Sequence, residues 1–95
     1  MAIAVNMNFA GGTLEQYDAV CKKMGLAPKG PAPDGALFHW AAKTDDGFRV
    51  TDVWETRDQF DKFAAEKIGP FAAEVGFTGQ PEMSFTEVYN YFTTP

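Results

Sequence analysis

At 95 residues with a net charge of −5, the chain 1–95 reads as one small acidic domain. Its charge repels phosphate backbones and anionic lipid, so neither nucleic acid nor membrane is an expected partner. It is 45% hydrophobic with 9 Phe, yet a chain this short buries only roughly 60–65% of its unfolded surface, so a second copy covering one face, as a homodimer, is the expected partner.

In chain order, Ala2 to Phe9 alternates Ile3, Val5, Met7 and Phe9 against Ala4, Asn6 and Asn8. Strict alternation marks a strand with one apolar and one mixed face. The same stretch lacks the basic and long apolar regions of a signal peptide. Asparagine is depleted in strands, so Asn6 and Asn8 are candidates for holding a polar substrate atom, or else for plain edge exposure. Gly11-Gly12 ends the strand. Thr13-Leu14-Glu15-Gln16 is a capping box, and the helix it opens runs to about Met24, with Leu14, Tyr17, Val20, Cys21 and Met24 as its apolar stripe. Cys21 is the sole cysteine. It excludes an internal disulfide and fits a reducing, cytoplasmic location. Gly25 suits a left-handed helix end.

Leu26 to Gly35 (LAPKGPAPDG) has no period and is rich in proline and glycine. It is either a plain connection or a lid beside a site. Ala36 to Thr56 (ALFHWAAKTDDGFRVTDVWET) is a β-hairpin turning at Asp45-Asp46-Gly47, where Asp-Gly tolerates positive φ. A second capping box, Thr56 to Gln59, opens a helix with Phe60, Phe63, Ala64 and Ile68 on one face. Gly69-Pro70 is expected to interrupt that helix and start a fresh turn. Phe71, Ala72 and Val75 then continue the stripe to Gly76. Glu82 to Phe92 alternates as a last strand, with Met83, Phe85, Tyr89 and Tyr91 on one face. The order is β-α-β-β-α-β. It predicts an α+β fold, the ferredoxin-like plait: a four-stranded antiparallel sheet with two helices on one face. The other sheet face has no helix to cover it, which again points to a second sheet from a partner subunit.

Hairpin parity identifies the candidate site. A turn at Asp46-Gly47 puts His39 opposite Trp54, and a Thr44 to Gly47 loop puts it opposite Asp52. The two registers differ by an even shift, so the faces are the same in both. Leu37, His39 and Ala41 share one face with Val50, Asp52 and Trp54. Phe38, Trp40 and Ala42 share the other with Thr51, Val53 and Glu55. A carboxylate beside an imidazole fixes its tautomer and orients it as a base, so His39 and Asp52 are the catalytic candidates. Trp54 would wall a flat ligand, with Asn6, Asn8 and the phenol of Tyr89 as further substrate contacts. The plainer alternative is a core histidine satisfied by Asp52. One His and one Cys cannot build a spaced zinc site, and Gly11-Gly12 lacks the remaining residues of a phosphate loop. No metal or nucleotide cofactor is expected.

The stretch GALFHWAAKTDDGFRVTDVWETRDQFDKF, with Asp52-Val53-Trp54-Glu55 closing strand 3 before a capped helix, resembles the dimeric α/β-barrel superfamily, in the branch similar to antibiotic-biosynthesis monooxygenases. That resemblance implies two sheets paired across a two-fold axis into a barrel, with ligand sites between sheet and helices. It implies small-molecule chemistry such as cofactor-independent oxygenation of polycyclic phenols or polyketide cyclisation. The haem-degrading members of the superfamily use an Asn on strand 1, a Trp near the end of strand 3 and an axial His on the second helix. Here that helix carries Glu74 and Val75, and the histidine is on strand 2, which argues against haem. Two functions follow as expectations: a homodimeric, cofactor-independent monooxygenase or cyclase for a flat aromatic or polyketide-like molecule, or a non-catalytic binding or stress-related module.

Overall fold

A computed structural model describes residues 1–77 and 79–92. Strands β1 (Ile3–Ala10), β2 (Ala36–Thr44), β3 (Gly47–Trp54) and β4 (Glu82–Glu87) form one antiparallel sheet in the order β2-β3-β1-β4. Helix α1 (Leu14–Lys23) links β1 to β2, and helices α2 (Arg57–Phe63) and α3 (Gly69–Val75) follow β3. This is the ferredoxin-like plait that the element order predicts.

The core lies between the sheet and the helices. Val5, Met7, Phe48, Val50, Trp54 and Phe60 form its buried cluster. The strand residues among them occupy alternate positions of β1 and β3, so one pleat face supplies them all. Aromatic rings set the packing: Phe9 stacks on Phe48 with centroids 4.6 Å apart, and Trp54 meets Phe60 at 5.9 Å, edge to face. Tyr17 and Val20 bring the α1 stripe to this layer. Leu14, placed on that stripe by its spacing, is 40% exposed instead.

The Thr13 capping box forms in full: Thr13 Oγ1 accepts from Gln16 N–H at 3.1 Å, and Gln16 Oε1 accepts from Thr13 N–H at 3.0 Å. The second box forms only by half. Thr56 Oγ1 accepts from Gln59 N–H at 3.2 Å, but the Gln59 amide oxygen takes the Thr56 hydroxyl and not the backbone.

Three local expectations are corrected. At Gly69-Pro70 the helix is not broken but passes through a π turn, and Pro70 lies in the first turn of α3, as expected of a fresh turn. Ala64–Ile68 form a π-helical turn between α2 and α3, in which Gly69 N–H reaches back to Ala64 C=O. A proline ring inside a helix clashes with the carbonyl of the preceding turn, and the wider π turn moves that carbonyl aside. The helical run then ends at Gly76, whose φ of 97° is left-handed as expected.

The last strand stops at Glu87 and does not reach Phe92. Its partner β1 begins at Ile3, which pairs with Glu87. One more bond follows, from Val88 N–H to Ala2 C=O, and the pairing ends there.

In the hairpin, Thr44 pairs with Gly47 and the turn residues are Asp45-Asp46. None of these residues has positive φ. Gly47 is required for close approach: a Cβ there would collide with the Phe9 carbonyl oxygen. A bulge between Ala36 and Phe38 takes Leu37 out of the ladder and turns Ala36 to face Trp54. Parity holds from Phe38 onward.

Candidate functional site

His39 stands on the edge strand β2, directly opposite Asp52 of β3. Asp52 in turn pairs with Val5 of β1, which places it in the middle of the sheet under the helices. It is 5% exposed and is the one buried charged residue among the described residues. A buried carboxylate is stable only with donors around it, and Asp52 has two. Its Oδ1 lies 2.5 Å from His39 Nδ1. Its Oδ2 accepts from Trp54 Nε1–H at 3.1 Å. Asp52 and Trp54 are two apart on one strand, so they share a face and the indole can turn back to the carboxylate.

Tyr17 completes the chain from α1. Its hydroxyl lies 2.6 Å from His39 Nε2, and the two rings are nearly parallel, at 8° with centroids 6.0 Å apart. Phe48 supports the phenol edge-on at 5.7 Å. The direction of the hydrogen bonds follows from valence. A carboxylate only accepts, so Nδ1 of His39 donates to it. In the neutral ring Nε2 is then the acceptor, and Tyr17 donates to it. The sequence Tyr17 O–H, His39, Asp52 and Trp54 N–H is one continuous hydrogen-bonded line from the helix layer into the core.

Burial pushes the Tyr17 phenol well above its ordinary range, with Cys21 and the negative charge of Asp52 adding to the effect. Burial likewise pushes the Cys21 thiol up. Both groups are held neutral at ordinary pH.

The structure therefore brings His39, Asp52 and Trp54 together, and it does not bring Asn6, Asn8 or Tyr89 to them. Asn6 and Asn8 lie on the opposite sheet face. Asn6 Oδ1 accepts from Thr51 Oγ1–H at 2.6 Å, and Asn8 Oδ1 accepts from Arg49 Nε–H at 2.8 Å. Tyr89 follows the end of β4 and is fully exposed. Trp54, expected to wall a ligand, is 2% exposed and packs against Phe60 and Phe63. It presents an N–H to Asp52 and no ring face to solvent. Tyr17 is legible in the sequence only as one member of the α1 stripe, since the capping box fixes where the helix starts but not which strand residue each side chain meets.

Two concavities lie at the hairpin-turn end of the sheet. One, of about 520 Å³, is lined by residues including Asn8, Arg49, Phe77 and Glu82. The other, of about 330 Å³, is lined by residues including Gly12, Lys43 and Asp45. Neither is lined by His39, Asp52 or Trp54. Among the described residues no group of three His, Cys, Asp or Glu is placed to hold a metal, and no helix is long and apolar enough to cross a membrane.

Solved structures share this arrangement of elements. SnoaB from Streptomyces nogalater, a cofactor-independent oxygenase, superposes with a TM-score of 0.60 at 16% identity, over 98% of this chain and 97% of that one. A Deinococcus radiodurans protein described as an antibiotic biosynthesis monooxygenase gives 0.61 at 14% identity, over 100% and 99%. The Streptomyces coelicolor monooxygenase from the gene ActVA-Orf6, in complex with nanaomycin D, gives 0.54 at 20%, over 99% and 92%. The chain has the fold of the antibiotic biosynthesis monooxygenases. At these identities the likeness is one of fold. No family model and no curated protein sequence matches the chain.

Proposed function

We propose that the protein is a cofactor-independent monooxygenase-like enzyme for a flat, hydroxylated aromatic or polyketide-like molecule, and that it works as a homodimer. The observation that carries this reading is the 2.5 Å contact between the buried Asp52 carboxylate and the His39 imidazole. A fixed tautomer with a carboxylate behind it is how a base is oriented. The fold shared with an oxygenase of this kind gives the reading its reaction class.

The chemistry balances with dioxygen alone as oxidant. A ring methylene flanked by two aromatic rings, and conjugated through them with the carbonyl across the ring, loses a proton, which His39 stores between Asp52 and Tyr17. The resulting carbanion reduces dioxygen to a bound peroxide anion. Return of the proton and loss of water leave a carbonyl: one CH₂ and one O₂ become one C=O and one H₂O. Asp52 stabilises the imidazolium, and the Trp54 N–H holds Asp52 in place. Asn6 and Asn8 have no part in this step, since the sheet separates them from His39.

The homodimer rests on the open sheet face. There Phe38 is 44% and Trp40 39% exposed, with no helix among the described residues above them, and a second copy would cover both. A second reading, a non-catalytic module that binds an apolar metabolite, is favoured by one observation: the concavities lie at the hairpin end and not at His39. Oxygen uptake with 1,8-dihydroxyanthrone separates the two. Catalysis predicts turnover that falls by about 10²-fold or more in His39→Ala. Equal turnover by wild type and His39→Ala contradicts it.

A further inference from the structure

Neither nitrogen of the His39 ring is open to a substrate. Nδ1 is held by Asp52 at 2.5 Å and Nε2 by the Tyr17 hydroxyl at 2.6 Å. A base must come within hydrogen-bond reach of the proton it takes, and here any molecule approaching Nε2 meets Tyr17 first. The phenolic oxygen is different. It donates one hydrogen bond to His39 and has lone pairs left to accept another. It is half-buried beside β2, the edge strand of the described sheet.

We propose that Tyr17 is the catalytic residue that exchanges the proton with the substrate, and that His39 receives it only through the Tyr17 hydroxyl. The inference rests on the proton abstraction proposed above and changes which residue performs it. The transfer is a paired one. The substrate proton passes to Tyr17 Oη as the Tyr17 proton passes to His39 Nε2. The substrate is left as an enolate or phenolate, and the imidazolium is left against Asp52. Tyr17 carries one proton on its hydroxyl both at the start and at the end.

The surroundings require such a paired shift. Burial and the negative charge of Asp52 both oppose a free phenolate at Tyr17, all the more because the hydroxyl already bonds to His39. A stepwise path through tyrosinate would run against all of them. A phenol that never carries charge also selects its partner. It hydrogen-bonds best to an oxygen that becomes anionic, so the substrate class is a hydroxyaromatic or an enolisable carbonyl compound, not an amine or a plain hydrocarbon.

Two measurements test this. The first needs no substrate. His39 is the only histidine, so acylation of the protein's imidazole by diethylpyrocarbonate reports on one site. Tyr17→Phe keeps the ring and its packing but frees Nε2, and acylation is expected to be about tenfold faster than in wild type. Equal rates mean that Tyr17 does not hold Nε2 in solution, and they overturn the proposal. The second is turnover of 1,8-dihydroxyanthrone. Tyr17→Phe is expected to lose about 10²-fold in kcat, with KM changed by less than about threefold. Full kcat in Tyr17→Phe together with an inactive His39→Ala shows that His39 meets the substrate directly. That result overturns this inference and leaves the proposed function standing. No turnover by wild type, or full turnover by both variants, overturns both.

Discussion

The two faces of the sheet spend their polar residues differently. On the helix-covered face Asp52, the single buried charge among the described residues, is bonded to a histidine and an indole, and the line continues to a phenol on α1. On the open face the polar side chains pair across strands, Asn6 with Thr51 and Asn8 with Arg49, beside exposed Phe38 and Trp40. The first arrangement is costly unless every member is satisfied. The second pairs neutral amides with a hydroxyl and a guanidinium and holds no buried charge, so losing one partner costs less. In the proposed function, the costly polar group carries the chemistry and the exposed apolar residues are what a second copy would cover.

The largest effect expected from this contrast is at Asp52. Asp52→Ala orphans the buried Trp54 N–H and unties His39, and should lower unfolding stability by about 3 kcal/mol or more in urea denaturation. A loss under about 1 kcal/mol would place the carboxylate in water and erase the difference between the faces.

Next is the open face. Trp40→Lys with Phe38→Lys should convert a dimer to a monomer by sedimentation at micromolar concentration, without changing the far-ultraviolet circular dichroism of the fold. A monomeric wild type would leave the exposed Phe38 and Trp40 without the partner proposed for them.

Alkaline pH gives a smaller and more specific effect. The Tyr17 and Cys21 protons are both held more tightly in the folded state than at their ordinary pKa values of 10.0 and 9.0. A pKa raised by folding contributes stability that is full below the unfolded value and is lost as pH rises above it. The melting temperature should therefore fall as pH climbs past 9, and fall less in Tyr17→Phe. An identical decline in that variant would show that other groups carry the effect.

The smallest change belongs to Asn6→Ala. It removes an exchangeable bond to Thr51 and should cost about 1 kcal/mol or less. A cost matching that of Asp52→Ala would mean that the open face is as constrained as the covered one.

Much of this contrast is legible in the amino-acid sequence. A strand's side chains alternate with a period of two, so the face shared by His39, Asp52 and Trp54 survives every even slip of the hairpin. Thr13 and Gly76 mark helix ends through local bonding, which sequence carries directly. The features that escape it depend on neighbours far along the chain. Alternation continues past Glu87, but the pairing of β4 with β1 ends at Ile3 and Glu87. Gly69-Pro70 looks like a break, yet the chain passes through a π turn there and Pro70 opens α3. Strand position alone makes Trp54 a ring for a ligand, and its burial under Phe60 and Phe63 makes it a donor to Asp52 instead. Tyr17 reaches His39 only through the placement of α1 on the sheet, and no local pattern encodes that distance.

The proposed chemistry turns on His39 being held in one tautomer, between an acceptor in the core and a donor on the helix. Nitrogen-15 NMR of the imidazole tests this most directly, because the chain has one histidine and a single pair of ring signals. The expected result is a neutral ring with its proton on Nδ1, strongly deshielded by Asp52, and an unprotonated Nε2 whose shift moves in Tyr17→Phe. A proton on Nε2, or a signal averaged between the two tautomers and indifferent to Tyr17, would contradict it.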